Sequence, residues 1–236
     1  GHTISVTSTG GTNNPTLSST SSGSNSSTGT AVTVYAGDVL TLPAETFGGG
    51  ASAAQYTSTL ACSGGTTLAS GAVNRSITIS NSTTATVCTY TNARKSATLT
   101  VRKVWSANSK AGDTVTVSSS GFGNNATSGS SVATAAGNTT TGTAVTVYAG
   151  ESGTISEAFS VGSASNYNAV LSCTGNTQAL VGNTLTVDPA DTAIVCTETN
   201  TRIAQQISIN KQWQNGATGH TISVTSTGGT NNPTLS

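Results

Sequence analysis

The sequence predicts an all-β protein built from tandem immunoglobulin-like sandwiches, each with one disulfide. Short runs of Val, Ile, Leu and Thr recur along the 236 residues with clusters of Gly, Asn and Ser between them, and helix signals are nearly absent. Four cysteines form two matched pairs, and several blocks of sequence occur twice. These three observations are typical of repeated small β-domains that disulfides stabilise.

The longest repeat relates the two ends of the chain. Gly1–Ser18 and Gly219–Ser236 share the sequence GHTISVTSTGGTNNPTLS, a spacing of 218 residues (219 − 1). A shorter repeat lies inside this one: TGTAVTVYAG occurs at Thr28–Gly37 and again at Thr141–Gly150. The two tryptophans, at positions 105 and 213, are 108 residues apart. The larger period therefore contains two diverged modules of domain size.

Module boundaries follow from these repeats. We expect residues 1–94 to form a sandwich module that lacks its first strand, and residues 95–202 to form a complete module. Residues 203–236, which end in the copy of 1–18, should form the first strands of the next module. The missing strand should resemble Ile207–Trp213, and either an upstream copy in the same polypeptide or a neighbouring chain can supply it.

Strands are predicted where β-branched or other apolar residues alternate with polar ones. The predicted strands are Thr3–Thr9, Ala31–Tyr35, Val39–Leu42, Tyr56–Cys62, Ser76–Ser80, Ala85–Tyr90, Ala97–Trp105, Thr114–Ser118, Ala144–Tyr148, Asn168–Cys173, Thr184–Val187, Ala193–Thr197, Gln206–Trp213 and Thr221–Thr225. Two runs rich in Ser and Gly, Ser18–Thr28 and Gly123–Thr140, are predicted to be exposed loops.

Composition restricts the function. Charged residues make up 7% of the chain and the formal net charge is zero, so neither a basic surface for nucleic acid nor a carboxylate-rich calcium site is expected. No acid pair, metal cluster or nucleophile–base set recurs in both modules, which predicts no metal, no cofactor and no enzyme. No segment has the length and hydropathy of a membrane span, and no signal peptide is recognisable.

The cysteines predict one disulfide within each module. Cys62 should pair with Cys88, and Cys173 with Cys196, because each pair occupies matching positions in the two repeats. A metal site is the rival interpretation, but the chain has no CxxC motif and its two histidines are copies of one repeat position. Disulfides form in oxidising compartments, so the protein is expected to be secreted or on the cell surface.

One lysine occupies an unusual position. Alternation along the strand that ends at Trp105 puts Leu99, Val101 and Lys103 on one face with the tryptophan, and this face should be the core face. Lys211 has the same setting in the later copy. An unpaired ammonium in a core is costly, which makes a buried partner for the lysine one expectation.

The chain resembles a known family in the order of its motifs. A Lys precedes Trp on the first strand, an AG motif with a later Glu follows midway, and the last strand carries CTYTNAR or CTETNTR. This order resembles the prealbumin-like, transthyretin-like domains of the CnaB/SpaA type in bacterial surface proteins and pili. The resemblance implies a spontaneous Lys–Asn isopeptide bond that a buried acid promotes.

The resemblance assigns residues to this bond in both module types. In the complete module, Lys103 would attack Asn200 with Glu157 as the acid. In the other type, Lys211 would pair with the Asn92 position and the Glu45 position would assist. Two alternatives stay open: a buried Lys103–Glu157 ion pair with Asn200 hydrogen-bonded nearby, and a lysine that extends its ammonium to solvent at the sandwich edge.

These features predict a structural protein. We expect a repeat of a secreted bacterial fibre, an adhesin stalk or a biofilm matrix filament, whose modules stack linearly. Its partners would be neighbouring repeats or further copies, head to tail, with strand complementation between chains as one option. The alternative is an adhesin module that binds a host protein or glycan through exposed loops rich in Ser, Gly and Asn.

Overall fold

The computed structural model describes residues 1–229 and 231–235, and these residues confirm the predicted fold class, β-sandwiches with one disulfide in each module. Residues 1–94, the predicted first module, contain the strands β1 (Thr3–Thr7), β2 (Thr16–Thr20), β3 (Val39–Leu42), β4 (Thr46–Gly48), β5 (Tyr56–Gly64), β6 (Leu68–Gly71), β7 (Arg75–Thr78) and β8 (Thr86–Arg94).

Residues 95–202, the predicted second module, contain nine strands, and a short pair of strands follows them. The nine strands are β9 (Ser96–Trp105), β10 (Thr114–Ser120), β11 (Ser128–Val132), β12 (Asn138–Thr141), β13 (Val145–Tyr148), β14 (Ser152–Val161), β15 (Tyr167–Thr174), β16 (Thr184–Thr186) and β17 (Ala193–Arg202). The pair is β18 (Val224–Thr225) with β19 (Thr234–Leu235). Among the described residues no helix is long and apolar enough to cross a membrane.

The second module is a sandwich of two sheets. One sheet has the order β11-β10-β14-β16, and the other has the order β12-β9-β17-β15 with β13 also paired to β9. The first and last strands of the module, β9 and β17, run parallel side by side, while their other neighbours are antiparallel. Strand β9 is therefore central, because it pairs with β17 along one edge and with both β12 and β13 along the other.

Alternating side chains fill the space between the two sheets. In β9 every second residue from Ala97 to Trp105 is buried, which is the pattern of a strand with one face on the core. An aromatic cluster closes one end: the Trp105 ring lies edge-on to Phe159 and Tyr167, with centroids 6.0 and 5.2 Å away. The Tyr167 hydroxyl donates to Asp113 at 2.8 Å, so the buried phenol keeps a polar partner.

The first module has a smaller core and less continuous sheets. Its strands form three sheets, with the orders β2-β1-β4, β3-β7 and β6-β5-β8. Where the second module has the unbroken strand β14, the first has β3 and β4 with Pro43 between them, and a proline cannot donate to a sheet ladder. The described part of this module contains no counterpart of β9.

One predicted strand is wrong, because the described first module has no counterpart of β9 to pair with it. Ala31–Tyr35, predicted as a strand, has no strand partner, although the identical residues at Val145–Tyr148 form β13. Strand β13 pairs with β9, from Val145 opposite Leu99 to Tyr148 opposite Ser96. The same local sequence is therefore a strand only where this neighbour is present, because an isolated edge has nothing to pair with.

Other predicted elements also differ from the structure. Gln206–Trp213 forms no strand, and Thr221–Thr225 is reduced to β18, so the described part of residues 203–236 contains only one short hairpin. The predicted loop Ser18–Thr28 begins inside β2, and the predicted loop Gly123–Thr140 contains β11 and most of β12. These strands were missed because they consist mainly of Ser, Thr, Gly and Asn, with only Leu17 and Val132 as apolar residues.

A single residue joins the two modules. Lys95 lies between β8 and β9, its N–H donates to the Gln55 carbonyl at 2.9 Å, and its carbonyl accepts from the Ala149 N–H at 3.0 Å. Arg94 adds two hydrogen bonds to the Ala149 carbonyl, and its Nη1 lies 3.4 Å from a carboxylate oxygen of Glu151. Residues of both modules therefore hydrogen-bond to the connection at Lys95.

Each disulfide joins directly opposed residues of neighbouring antiparallel strands. Cys62 and Cys88 link β5 to β8, and Cys173 and Cys196 link β15 to β17. In both modules the bond thus fixes the last strand to the strand beside it.

We expect the disulfide of the second module to stabilise that module by about 3 kcal/mol, because it closes a loop of 23 residues. Replacing both cysteines, Cys173→Ala with Cys196→Ala, should lower the urea midpoint that Trp105 fluorescence reports in a Trp213→Phe background. The control is Cys62→Ala with Cys88→Ala, which should leave the Trp105 transition in place. An equal shift in the two variants would contradict the assignment.

Candidate functional site

The ammonium of Lys103 lies inside the second module. Strand β9 points the side chain into the core between Val101 and Trp105, and only 1% of the residue is exposed. Its Nζ lies 4.8 Å from the centroid of the Trp105 ring, where the negative face of the indole attracts a cation. The predicted alternative of a lysine that reaches solvent at the sandwich edge does not match this burial.

Glu157 supplies the opposite charge from the facing sheet. It lies on β14, and its Oε2 is 2.6 Å from Lys103 Nζ. The contact is a close ion pair, and neither atom has a further hydrogen-bond partner in the described part of the chain. A buried pair with unsatisfied atoms is poorly compensated for the loss of water, so it contributes little net stability.

Asn200 completes the arrangement. It lies on β17, it is fully buried, and its Nδ2 donates to the other carboxylate oxygen of Glu157 at 2.9 Å. Its Oδ1 accepts no hydrogen bond from any described residue. Ala169, which is opposite Asn200 on β15, offers no side-chain donor. The structure thus brings together all three residues, Lys103, Glu157 and Asn200, that the sequence resemblance assigned to one site.

A second buried acid lies beside the lysine. Glu198 is opposite Lys103 in the parallel β9–β17 ladder and is 6% exposed. Burial raises the pKa of Glu198, the negative charge of Glu157 adds to this, and Lys103 opposes it. Burial also lowers the pKa of Lys103, against the attraction of both carboxylates. Compared with water, the site therefore favours the neutral amine of Lys103 and the neutral acid of Glu198.

The first module holds the corresponding acid and amide without a lysine. Asn92 Nδ2 donates to Glu45 Oε1 at 2.9 Å, while Glu45 Oε2 is buried with no hydrogen-bond partner among the described residues. Burial raises the pKa of Glu45, and the hydrogen bond from Asn92 opposes the rise. Lys211 lies elsewhere: its Nζ donates to the Gln212 carbonyl at 3.1 Å. The structure thus assembles Glu45 with Asn92 but does not bring Lys211 to them.

The sequence analysis assigned no role to two residues of the first module, Ser58 and Tyr90. The Ser58 hydroxyl donates to Asn92 Oδ1, which the matching Ala169 cannot do for Asn200. The Tyr90 hydroxyl donates to the Pro43 carbonyl at 2.8 Å, and burial with the nearby Glu45 raises the pKa of Tyr90 to about 12. The position of Ser58, opposite Asn92 on the neighbouring strand, could have indicated its role once β5 and β8 were paired in register.

The described residues contain no group of three or more His, Cys, Asp or Glu side chains placed to hold a metal ion.

No family model matches the chain, and no curated protein matches it. A solved structure, the major pilin protein (T-13) from Streptococcus pyogenes serotype GAS131465, is similar to this chain with a TM-score of 0.38 and 15% sequence identity. The similarity covers 85% of this chain and 90% of the pilin chain.

The raised pKa of Glu198 predicts how stability depends on pH. The folded protein binds the Glu198 proton more tightly than the unfolded chain, so this contribution is present below the ordinary pKa of 4.5 and is lost as the pH rises through the raised folded-state pKa. Glu198→Gln should therefore raise the urea midpoint of the second module at pH 8 and change it little at pH 4. A larger gain at pH 4 than at pH 8 would show that the sign is wrong.

Proposed function

We propose that the chain is a structural repeat of a secreted bacterial fibre, adhesin stalk or biofilm matrix filament, and that Lys103 and Asn200 become joined by an amide bond. The observation that carries the proposal is the buried contact of the lysine and the amide with the two oxygens of one carboxylate, Glu157. An ion pair kept only for stability would be expected to satisfy these polar atoms with hydrogen bonds.

The chemistry follows from the burial of the site. Proton transfer from Lys103 to Glu157 gives a neutral amine and a neutral acid, which the lowered pKa of Lys103 favours. With the Asn200 amide rotated by half a turn, the acid donates to Oδ1 and polarises the carbonyl. Nζ attacks Cγ, the new N–C bond forms, and the Cγ–Nδ2 bond breaks. The former amide nitrogen leaves as ammonia, and one proton remains on Glu157.

The position of the bond suits a protein under tension. Strand β9 begins the module and β17 ends it, so a pull on the chain reaches these two strands first. The strands run parallel and adjacent, and a bond from Lys103 to Asn200 would connect them at the end where Asn200 is opposite Trp105. Tension would then pass from β9 directly to β17, and the residues between them would stay folded.

The outer surface of the second module also fits an inert rod. The outer face of the β10-β14-β16 sheet carries hydroxyl pairs across strands, including Ser118 with Ser156 and Ser152 with Thr186. Such pairs satisfy polar groups without charge, and charged residues make up only 7% of the chain. Recognition of a host protein or glycan through the loops stays a prediction, because no contact or cluster on these loops favours it.

Intact mass tests the bond directly. After denaturation and full reduction, the chain should weigh less than its sequence by one ammonia for each bond formed, because reduction opens disulfides but not amides. Digestion should then yield one branched peptide that contains both Lys103 and Asn200.

Three variants give the matched controls. Lys103→Met and Asn200→Ala each remove one reacting group, and Glu157→Gln removes the acid but keeps its shape, so all three should have the full sequence mass at these positions. Lys110→Met, at a lysine outside the site, should still lose ammonia. A wild-type chain of full mass with no branched peptide would refute the bond and leave the buried ion pair as the explanation.

A further inference from the structure

We propose that the first module binds a strand from a second copy of this chain: residues 204–213 of the second copy insert between β8 and the segment Ala31–Tyr35, and its Lys211 becomes bonded to Asn92. The strand insertion stands on geometry alone, while the covalent step rests on the chemistry of the proposed function.

The first argument is that identical sequence takes two conformations. TGTAVTVYAG contains strand β13 in the second module, where Tyr148 is 36% exposed, but in the first module the segment forms no strand and the matching Tyr35 is 60% exposed. The local sequence cannot account for a difference between identical segments. The difference is the neighbour: β13 has β9 beside it, and the described first module has no such strand.

The second argument is an open groove where that strand belongs. A cavity of about 770 Å³ lies between the unpaired segment and β8. Apolar side chains line it, including Val34, Leu40, Leu42, Ile77 and the ring of Tyr90. In the second module the matching space contains Leu99, Val101 and Trp105 of β9. The groove thus has the location and the character of a strand-binding site.

The third argument is that residues 204–213 have the same alternating sequence pattern as β9 but pair with no strand. Residues 203–223 form no strand, and Ile207 and Trp213 are 73% and 49% exposed. Ile207, Ile209, Lys211 and Trp213 follow the spacing of Leu99, Val101, Lys103 and Trp105. A segment that alternates in this way has one apolar face and needs a sheet edge to cover it.

The fourth argument is chemical complementarity. If the strand pairs with β8 as β9 pairs with β17, Ile209 is opposite Cys88, Lys211 is opposite Tyr90 and Trp213 is opposite Asn92. Lys211 then meets the buried, unpaired Oε2 of Glu45, as Lys103 meets Glu157.

The first module also contains an aromatic pair that could pack against Trp213. Phe47 and Tyr56 stack with centroids 5.5 Å apart, as Phe159 and Tyr167 do at 5.7 Å against Trp105. Trp213 would complete the first pair as Trp105 completes the second.

Distance excludes the chain's own residues 204–213 as the source of the strand. Strand β17 ends beside Trp105, at the end of β9 that is farther from the first module, about 30 Å away for ten residues. Only Ile203 separates Arg202 from Ala204, and one residue spans about 3.5 Å. A chain with a folded second module therefore cannot place residues 204–213 in its own groove.

The same spacing makes the joint between copies equivalent to the joint within one chain. One residue, Ile203, would separate β17 from the donated strand, just as Lys95 separates β8 from β9. Arg202 would face Ala36 and Asp38 of the acceptor, the counterparts of the residues that hold Arg94. Since the donor and acceptor surfaces differ, the contact is head to tail and continues without closing.

The covalent step repeats the reaction proposed for the second module. Lys211 Nζ of one copy forms a bond to Cγ of Asn92 in the other, the Cγ–Nδ2 bond breaks, and ammonia leaves while Glu45 relays the proton. The Ser58 hydroxyl donates to the Asn92 carbonyl oxygen and would stabilise the negative charge that develops there. No oxidant or reductant takes part.

Sedimentation of the full chain over a range of concentrations tests the insertion. Oligomers should grow with concentration, and Ile207→Asp with Ile209→Asp should leave monomers because two charges would enter the groove. Both positions lie outside the folded modules, so folding should be unaffected. Ser208→Asp with Asn210→Asp adds the same charge to the opposite face and should still assemble.

Denaturing electrophoresis after boiling with reductant tests the covalent step. Wild type should give a ladder of chain multiples, and Lys211→Arg and Asn92→Ala should lose the ladder but still form oligomers in native sedimentation. Complete dissociation of wild type in denaturant would overturn the covalent step.

Three other results would overturn the insertion itself. These are a wild-type chain that stays monomeric at every concentration, oligomers that persist in the Ile207→Asp and Ile209→Asp variant, and a monomer whose own Lys211 is bonded to its own Asn92. None of them depends on the Lys103–Asn200 bond, which fails separately if the branched peptide that contains these two residues is missing.

Discussion

The parallel pairing of the first strand with the last strand is the constraint on which the closed sandwich of the second module depends. In the second module β9 lies beside β17, and it also gives β12 and β13 an edge to pair with and contributes Leu99, Val101 and Trp105 to the core. Without such a strand, the first module keeps its disulfide and a core around Leu60, but the counterpart of β13 stays unpaired. The presence of this one strand is thus the difference between the closed sandwich of the second module and the open sandwich of the first.

The buried polar groups are arranged differently in the two modules although their backbones correspond. Lys103 lies beside two acids: Glu157 contacts its ammonium at 2.6 Å, and Glu198 is opposite it in the β9–β17 ladder. In the first module a tyrosine, Tyr90, stands in place of Glu198, and Ser58 satisfies the amide oxygen of Asn92. Each set keeps a carboxyl and an amide together, so the acid–amide pair is the shared element and its surroundings have diverged.

Strand alternation and internal repeats were sufficient to predict the fold class and to place Lys103 on the core face, whereas Glu157 and Asn200 were named only by the resemblance to a known family. Alternation and repeats failed where the deciding contact is distant. Nothing local distinguishes Ala31–Tyr35 from its identical copy, so only the missing neighbour explains its lack of strand structure. Strands β11 and β12 were mistaken for a loop because they consist mainly of Ser, Thr, Gly and Asn and carry no apolar periodicity. The role of Ser58 depends on register, which a sequence alone does not specify.

The one-residue connection at Lys95 has a mechanical consequence for any assembly of these modules. Its N–H is bonded to one module and its carbonyl to the other, so the connection has no slack and few torsions free to rotate. A thread with such joints would resist twisting as well as stretching, and each module would be turned relative to the one before it by a constant angle. Its length would then change little under modest force, and it would hold whatever lies at its tip at a fixed distance and orientation.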